Sequence, residues 1–246
     1  RVFSANTMPG QASTPVATPT SPQLSMFGGS EVSGGSSDTV ERKNLSADQV
    51  RYHSVQTPEK RKELIEKLQS QNHFAIEVIT DDQPNFDFSI TGVAFSFSPG
   101  EAWLVSGDNF RDFASIFDNE KIRKSGHDLK SSILALKKYG LEMRGKLFDT
   151  SLAHYLIEPE ASHDLGIICQ QYLNYQLSET KDEVNQYCER VDQIQRLKAI
   201  LQKELEKRRH SSLLRDVEMP LVNVLAAMEC EGVRVDETVL RKMSES

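Results

Sequence analysis

The chain has little cysteine, no surplus of positive charge and no long apolar run, and each shortage removes a class of protein. Its three cysteines, Cys169, Cys188 and Cys230, lie far apart without CxxC spacing, so neither a disulfide framework nor a thiolate metal site is expected. They fall in segments of helical pattern, read as small buried hydrophobes, and suit a reducing compartment. Twenty-nine Lys and Arg against 36 Asp and Glu give a formal net charge of -7. That balance argues against a free-standing nucleic-acid-binding module, which needs cations to neutralise backbone phosphates. No stretch approaches the roughly 20 apolar residues that span a bilayer, and the first residues lack the basic-then-apolar layout of a signal peptide. A cytoplasmic monomer with no membrane partner is the expectation.

What is present is enough for one sizeable core: 246 residues with 38% hydrophobic content. The chain begins at Arg1 without Met and stops at Ser246 inside a helix-like run, so both ends read as cuts in a longer protein. From Ser4 to about Ser46 the sequence is dominated by Ser, Thr, Pro, Gly, Ala and Gln without periodicity, the composition of a flexible linker that buries too little surface to offset chain entropy. Thr57 to Leu68 opens with a capping Thr and a Pro at the first helical position, and sets Leu64, Ile65 and Leu68 on one face. Three strands are expected at Phe74–Ile79, Ile90–Phe97 and Ala102–Val105, as an antiparallel meander. Helical spacing then covers Phe110–Phe117, Leu129–Tyr139, Thr150–Ile157, Asp164–Leu173, Val184–Arg209 and Val217–Cys230, bracketing further strands. The pattern describes an α/β domain with an all-helical tail.

Two long segments carry a resemblance. KYGLEMRGKLFDTSLAHYLIEPEASHDL (Lys138 to Leu165) and SLLRDVEMPLVNVLAAMECEGVRVD (Ser212 to Asp236) are similar to segments of the family A bacterial DNA polymerases. The first belongs to their 3'-5' exonuclease domain and the second leads into the polymerase thumb. The resemblance covers roughly Tyr52 to Ser246. It implies a ribonuclease H-like (DnaQ-like) α/β fold, a mixed sheet flanked by helices, followed by a helical thumb segment. It also implies a division into a linker (1–47) after a 5'-nuclease domain, an exonuclease-like domain (48–210) and the start of the polymerase domain (211–246).

In that family the exonuclease holds two divalent metals with four carboxylates. The resemblance places Glu77 and Ile79 of FAIEVIT at the two acids of the first motif, where a spacing of two directs both side chains to one face of a strand. Aligned on Gly126, KSGHDLKSS puts Ser132 at the second-motif Asp and Asp128 at an Asn. NQYCERVDQIQ puts Arg190 at the third-motif Asp in one register and Val191 there in the other. Three replacements among four ligands imply that the catalytic set is not intact, that the fragment holds no metal, and that Mg²⁺ belongs to the polymerase domain of the parent. A Glu77–Arg190 ion pair is expected where metal once sat. Against this stands a shifted metal site built from Glu77, Asp81, Asp82, Asp128 and Asp192. The plainer assignment makes Asp81 and Asp82 turn residues, Asp128 a helix cap and Asp192 part of a solvated helix face. His127 and His163 have no second His at ligand spacing and are read as structural or surface residues.

Within the linker, QLSMF (Gln23, Leu24, Ser25, Met26 and Phe27) resembles the pentapeptide with which bacterial DNA polymerases bind the sliding clamp. Leu24, Met26 and Phe27 can fill an apolar groove while Gln23 bonds its rim. The expected function is thus a fragment of a DNA polymerase I-type enzyme, acting in replication and repair and meeting DNA through the whole polymerase. The alternatives are a working exonuclease with rearranged ligands and a clamp-tethering module.

Overall fold

In the computed structural model the described residues are 50–81, 88–232 and 237–244. The linker, its Gln23–Phe27 cluster and Asp82 lie outside them. The sheet grows from the most apolar stretches of the chain. β2 (His73–Thr80) pairs antiparallel with β3 (Ile90–Ser98), and β3 with β4 (Glu101–Ser106), the expected meander. β1 (Arg51–Ser54) adds parallel to β4 at one edge, while β5 (Arg123–Gly126) and β6 (Leu147–Asp149) extend the other edge in parallel. The result is a mixed six-stranded sheet in the order β1-β4-β3-β2-β5-β6.

Pleating sorts the strand residues to two faces. One face carries Phe74, Ile76, Val93 and Phe95. Phe95 stacks on Phe113 and Phe117 at 5.1 and 6.4 Å between ring centroids and meets Phe74 edge-on at 5.8 Å. Phe113 ends a 3-10 segment (Gly107–Phe113) that runs into one α-helical turn, α2 (Ala114–Phe117). The helix expected over Phe110–Phe117 is therefore 3-10 in its first half. There Phe110 and Phe113, three residues apart and fully buried, fall on the same side of a three-residue turn.

The other face is built of small residues, Ala75, Gly92 and Ala94, with Glu77 and Ile79 between them. A Cβ added to Gly92 would lie 2.9 Å from the Val105 carbonyl oxygen. Across this face packs α6 (Glu183–Arg208). Val191, Ile194, Leu197, Leu201 and Leu205, at steps of three and four, are each at most 1% exposed, so that each contributes roughly 1.5–3 kcal/mol of burial. The remaining helices are α1 (Pro58–Gln69), α3 (Leu129–Lys138), α4 (Thr150–Ile157), α5 (Leu165–Leu173), α7 (Ser211–Leu213), α8 (Met219–Glu231) and α9 (Glu237–Ser244). As expected, Thr57 caps α1, its Oγ1 accepting from the Lys60 N–H.

Between α7 and α8 one wide π turn (Leu214–Glu218) precedes Pro220. Proline offers no N–H and crowds the carbonyl four residues back, and the widened turn accommodates both. Val222 and Ala226 bury one side of α8, which packs on α3, while Val217, Leu221, Val224 and Met228 remain exposed. Cys169 and Cys188 are buried, but Cys230, expected to be buried too, is exposed.

Candidate functional site

Glu77 stands in the middle of β2 on the face that α6 covers, paired with Ala94 of β3. Because Ala94 has only a methyl group, the Glu77 carboxylate has no cross-strand polar neighbour from that position. Its partner comes from α6, where Arg190 Nε donates to Glu77 Oε1 at 2.7 Å, the contact expected from the sequence. The Glu77 side chain is 13% exposed and that of Arg190 31%. Glu77 Oε2 is buried and has no hydrogen-bond partner. Burial pushes the Glu77 carboxyl above its ordinary range, and the Arg190 guanidinium opposes that shift without cancelling it.

Two residues along the same face, Ile79 is 6% exposed, with Cδ1 over the bare backbone of Gly92. It fills core volume and offers no metal ligand. Ser132 lies buried on α3, one turn in from the helix start. At the β5–α3 junction the Thr150 hydroxyl donates to the Gly126 carbonyl at 3.1 Å. With its hydrogen so engaged, that hydroxyl accepts from His127 Nδ1 at 3.0 Å. Burial, with the nearby Arg190 charge adding to it, lowers the His127 pKa to about 4, so this imidazole is neutral at pH 7.

Several expected roles change. Asp128 occupies the residue before α3 in a left-handed conformation (φ 53°), and its carboxylate accepts from the Ser131 hydroxyl instead of capping the helix. The cap comes from Asp149 at the end of β6, whose Oδ2 accepts from Leu129 N at 2.6 Å and whose Oδ1 accepts from Ser151 and Leu152 N at 2.8 and 3.3 Å. One carboxylate therefore caps both α3 and α4. Its pKa is raised to about 6 by burial, against the lowering effect of these amides. The Asp-Thr pair opening a helix at Phe148–Ser151 is the sequence signal that locates this cap.

Asp192 is fully buried, contrary to the solvated face expected for it. It accepts from Gly100 N at 2.8 Å in the β3–β4 turn, from the Tyr52 hydroxyl, and from both Nε and a terminal nitrogen of Arg196. Glu189, also buried, accepts from the Tyr175 hydroxyl and from the backbone N–H and hydroxyl of Ser178. These two acids fasten α6 to the sheet and to the loop before it. Asp81 directly follows β2, its Oδ1 accepting from Ser89 N. His163 pairs with His154, Nδ1 to Nδ1, at 2.9 Å. Among the described residues no group of three or more His, Cys, Asp or Glu side chains is placed to hold a metal ion, and none of their helices is long and apolar enough to cross a membrane.

A mixed sheet with an antiparallel meander, flanked by helices and closed by a long helix bearing polar residues over β2, defines an α/β domain of the ribonuclease H-like exonuclease type. The chain can be superimposed on Escherichia coli RNase D, an exoribonuclease, with a TM-score of 0.64 at 15% identity over 73% of this chain and 51% of that one. The polymerase domain of Pol1 from M. smegmatis, solved with DNA primer-template and dNTP, gives a TM-score of 0.68 at 23% identity over 78% of this chain and 34% of that one. Both likenesses are of fold. The profile of the 3'-5' exonuclease family matches residues 52–204, and the chain belongs to that family, the exonuclease domain of family A DNA polymerases. It is similar to DNA polymerase I of Bacillus subtilis, 29% identical over 197 residues, which span 72% of this chain and 22% of that polymerase.

Proposed function

We propose that this chain is the linker, exonuclease-fold domain and first thumb helix of a DNA polymerase I-type enzyme, and that its exonuclease fold is a scaffold that does not hydrolyse DNA. The observation that carries this reading is the Glu77–Arg190 contact. A pair of divalent cations about 4 Å apart needs several carboxylate oxygens to offset their mutual repulsion. Here Glu77 is engaged by a fixed cation, and the other two aligned positions carry Ile79 and Ser132, neither of them an acid. That donor set does not fit a metal pair, and no hydrolytic step is derived through one. Asp192, Glu189 and Asp149 are acids with hydrogen-bonding duties of their own, which weighs against a shifted site.

The scaffold role is mechanical. α6 joins the exonuclease fold to α7 and α8, and the exposed stripe of Val217, Leu221, Val224, Leu225 and Met228 is suited to cover by a polymerase body. The parent transfers nucleotides to a DNA 3' end, with Mg²⁺ in its polymerase domain, in replication and repair in the cytoplasm. QLSMF at Gln23–Phe27 tethers it to a sliding clamp.

The test is incubation with a 3'-labelled single-stranded oligonucleotide in Mg²⁺ and then Mn²⁺, beside an Ile79→Glu, Ser132→Asp, Arg190→Asp triple variant checked by circular dichroism. An inert wild type beside an active variant supports a vestigial site. Digestion by the wild type, abolished by Glu77→Ala, overturns the scaffold reading.

A further inference from the structure

β2, β5 and β6 run parallel, so their N-terminal ends gather at one edge, with His73 beside Arg123 and Lys124 beside Leu147. α6 reaches the same edge. Arg190 to Lys198 is eight residues, or about 12 Å of helix, and Glu77 back to His73 is four residues, or about 13 Å of strand. The helix that sets Arg190 on Glu77 thus brings Lys198 to the region of His73. Between these ends and the Ser211–Arg215 segment lies a cavity of about 260 Å³.

Its lining is part basic and part apolar. Arg123, Lys146 and Lys198 make no ion pair among the described residues, in a chain whose net charge is -7. Arg215 is held by its neighbour Asp216, and Glu206 is the one carboxylate on the walls. Lys124 is taken up by the carbonyls of Asn119, Ile122 and Arg144. Of these cations, Arg123 and Lys198 are close enough to disturb each other and His73. Burial first, then Lys198 and Arg123, lower the His73 pKa to about 4, and burial followed by Arg123 lowers that of Lys198 against the opposing charge of Glu206. In the same lining the Ser211 hydroxyl is buried without a hydrogen-bond partner. Leu147, Phe148, Leu205 and Leu214 supply its apolar lining.

We propose that this cavity binds a mononucleotide, its phosphate held by Arg123, Lys146 and Lys198 and its base laid against the apolar lining at Phe148. Three cations that line one cavity without ion-pair partners call for an anion with several acceptor oxygens. The space exceeds that of a bare phosphate, and apolar lining that includes the Phe148 ring suits an aromatic base. The site is separate from the Glu77 cleft and stands whether or not that cleft hydrolyses DNA.

Isothermal titration of the full chain with dAMP, inorganic phosphate and deoxyadenosine tests it. We expect dAMP to bind more tightly than phosphate, deoxyadenosine to give no measurable heat, and Lys198→Glu to weaken dAMP at least tenfold. Lys146→Glu, at an exposed position, should weaken it in the same direction with the fold intact by circular dichroism, and Glu77→Gln should leave it unchanged. Absence of dAMP binding, affinity untouched by both lysine variants, loss on Glu77→Gln, or equal affinity for phosphate and dAMP would each overturn the assignment.

Discussion

Arg190→Ala removes the cation from a buried carboxylate, and the consequence depends on pH in a way that packing loss does not. Breaking a buried pair by deleting one partner costs about 3–5 kcal/mol. The Arg190 side chain is 31% exposed, so water reaches its end of the cleft, and the expectation falls to about 2–3 kcal/mol. The Glu77 carboxyl is already raised from its ordinary value of 4.5 by burial, and it rises further once Arg190 is gone. A group whose folded pKa is raised contributes stability fully below its unfolded value and loses it as pH climbs through the folded one. The wild type and the variant should therefore differ little near pH 4 and diverge toward about pH 8, where Glu77 must ionise unpaired. Urea unfolding followed through Trp103, the single tryptophan, buried in β4, reads this directly. At a slope of about 2 kcal/mol/M the midpoint falls by about 1 M at the higher pH. Adding Glu77→Gln to Arg190→Ala should recover most of the loss. A difference below about 0.5 kcal/mol near pH 8, or one equal at both pH values, would show that the contact is not the constraint inferred here.

Other perturbations follow from the same geometry. Asp149→Ala uncaps α3 and α4 together and should cost about 2–3 kcal/mol in urea unfolding, twice an ordinary cap; a loss under about 1 kcal/mol would mean that the two caps are not shared. Gly92→Ala drives a methyl to 2.9 Å from the Val105 carbonyl oxygen and should destabilise by about 1–3 kcal/mol, whereas an unchanged midpoint would show that the sheet yields there. A fluorescent peptide spanning Gln23–Phe27 should bind the cognate sliding clamp and lose binding on Phe27→Ala; equal anisotropy for both peptides removes the tether.

The meander and the long helix were legible because their apolar residues keep periods of two and of three to four. β5 and β6 were not. Arg-Lys-Ser-Gly shows no alternation of apolar residues, and the burial of Lys124 there is met by the carbonyls of Asn119, Ile122 and, 20 residues on, Arg144, which converge on its ammonium group. Asp192 was misplaced for a similar reason. Its main acceptor role is toward Gly100, 92 residues away, and no local pattern announces that contact. Asp128 looked like a cap by position, but its left-handed backbone gives the task to Asp149, brought in by β6. The Glu77–Arg190 pair was legible because alignment to a family motif supplies long-range proximity that periodicity cannot.

Titration of the full chain with Mn²⁺, followed by the electron paramagnetic resonance signal of the free ion, tests the scaffold most directly. The unaltered chain should leave that signal undiminished, while the Ile79→Glu, Ser132→Asp, Arg190→Asp variant should reduce it. Uptake of two Mn²⁺ ions by the unaltered chain, lost on Glu77→Ala, would contradict a cleft closed by Glu77 and Arg190.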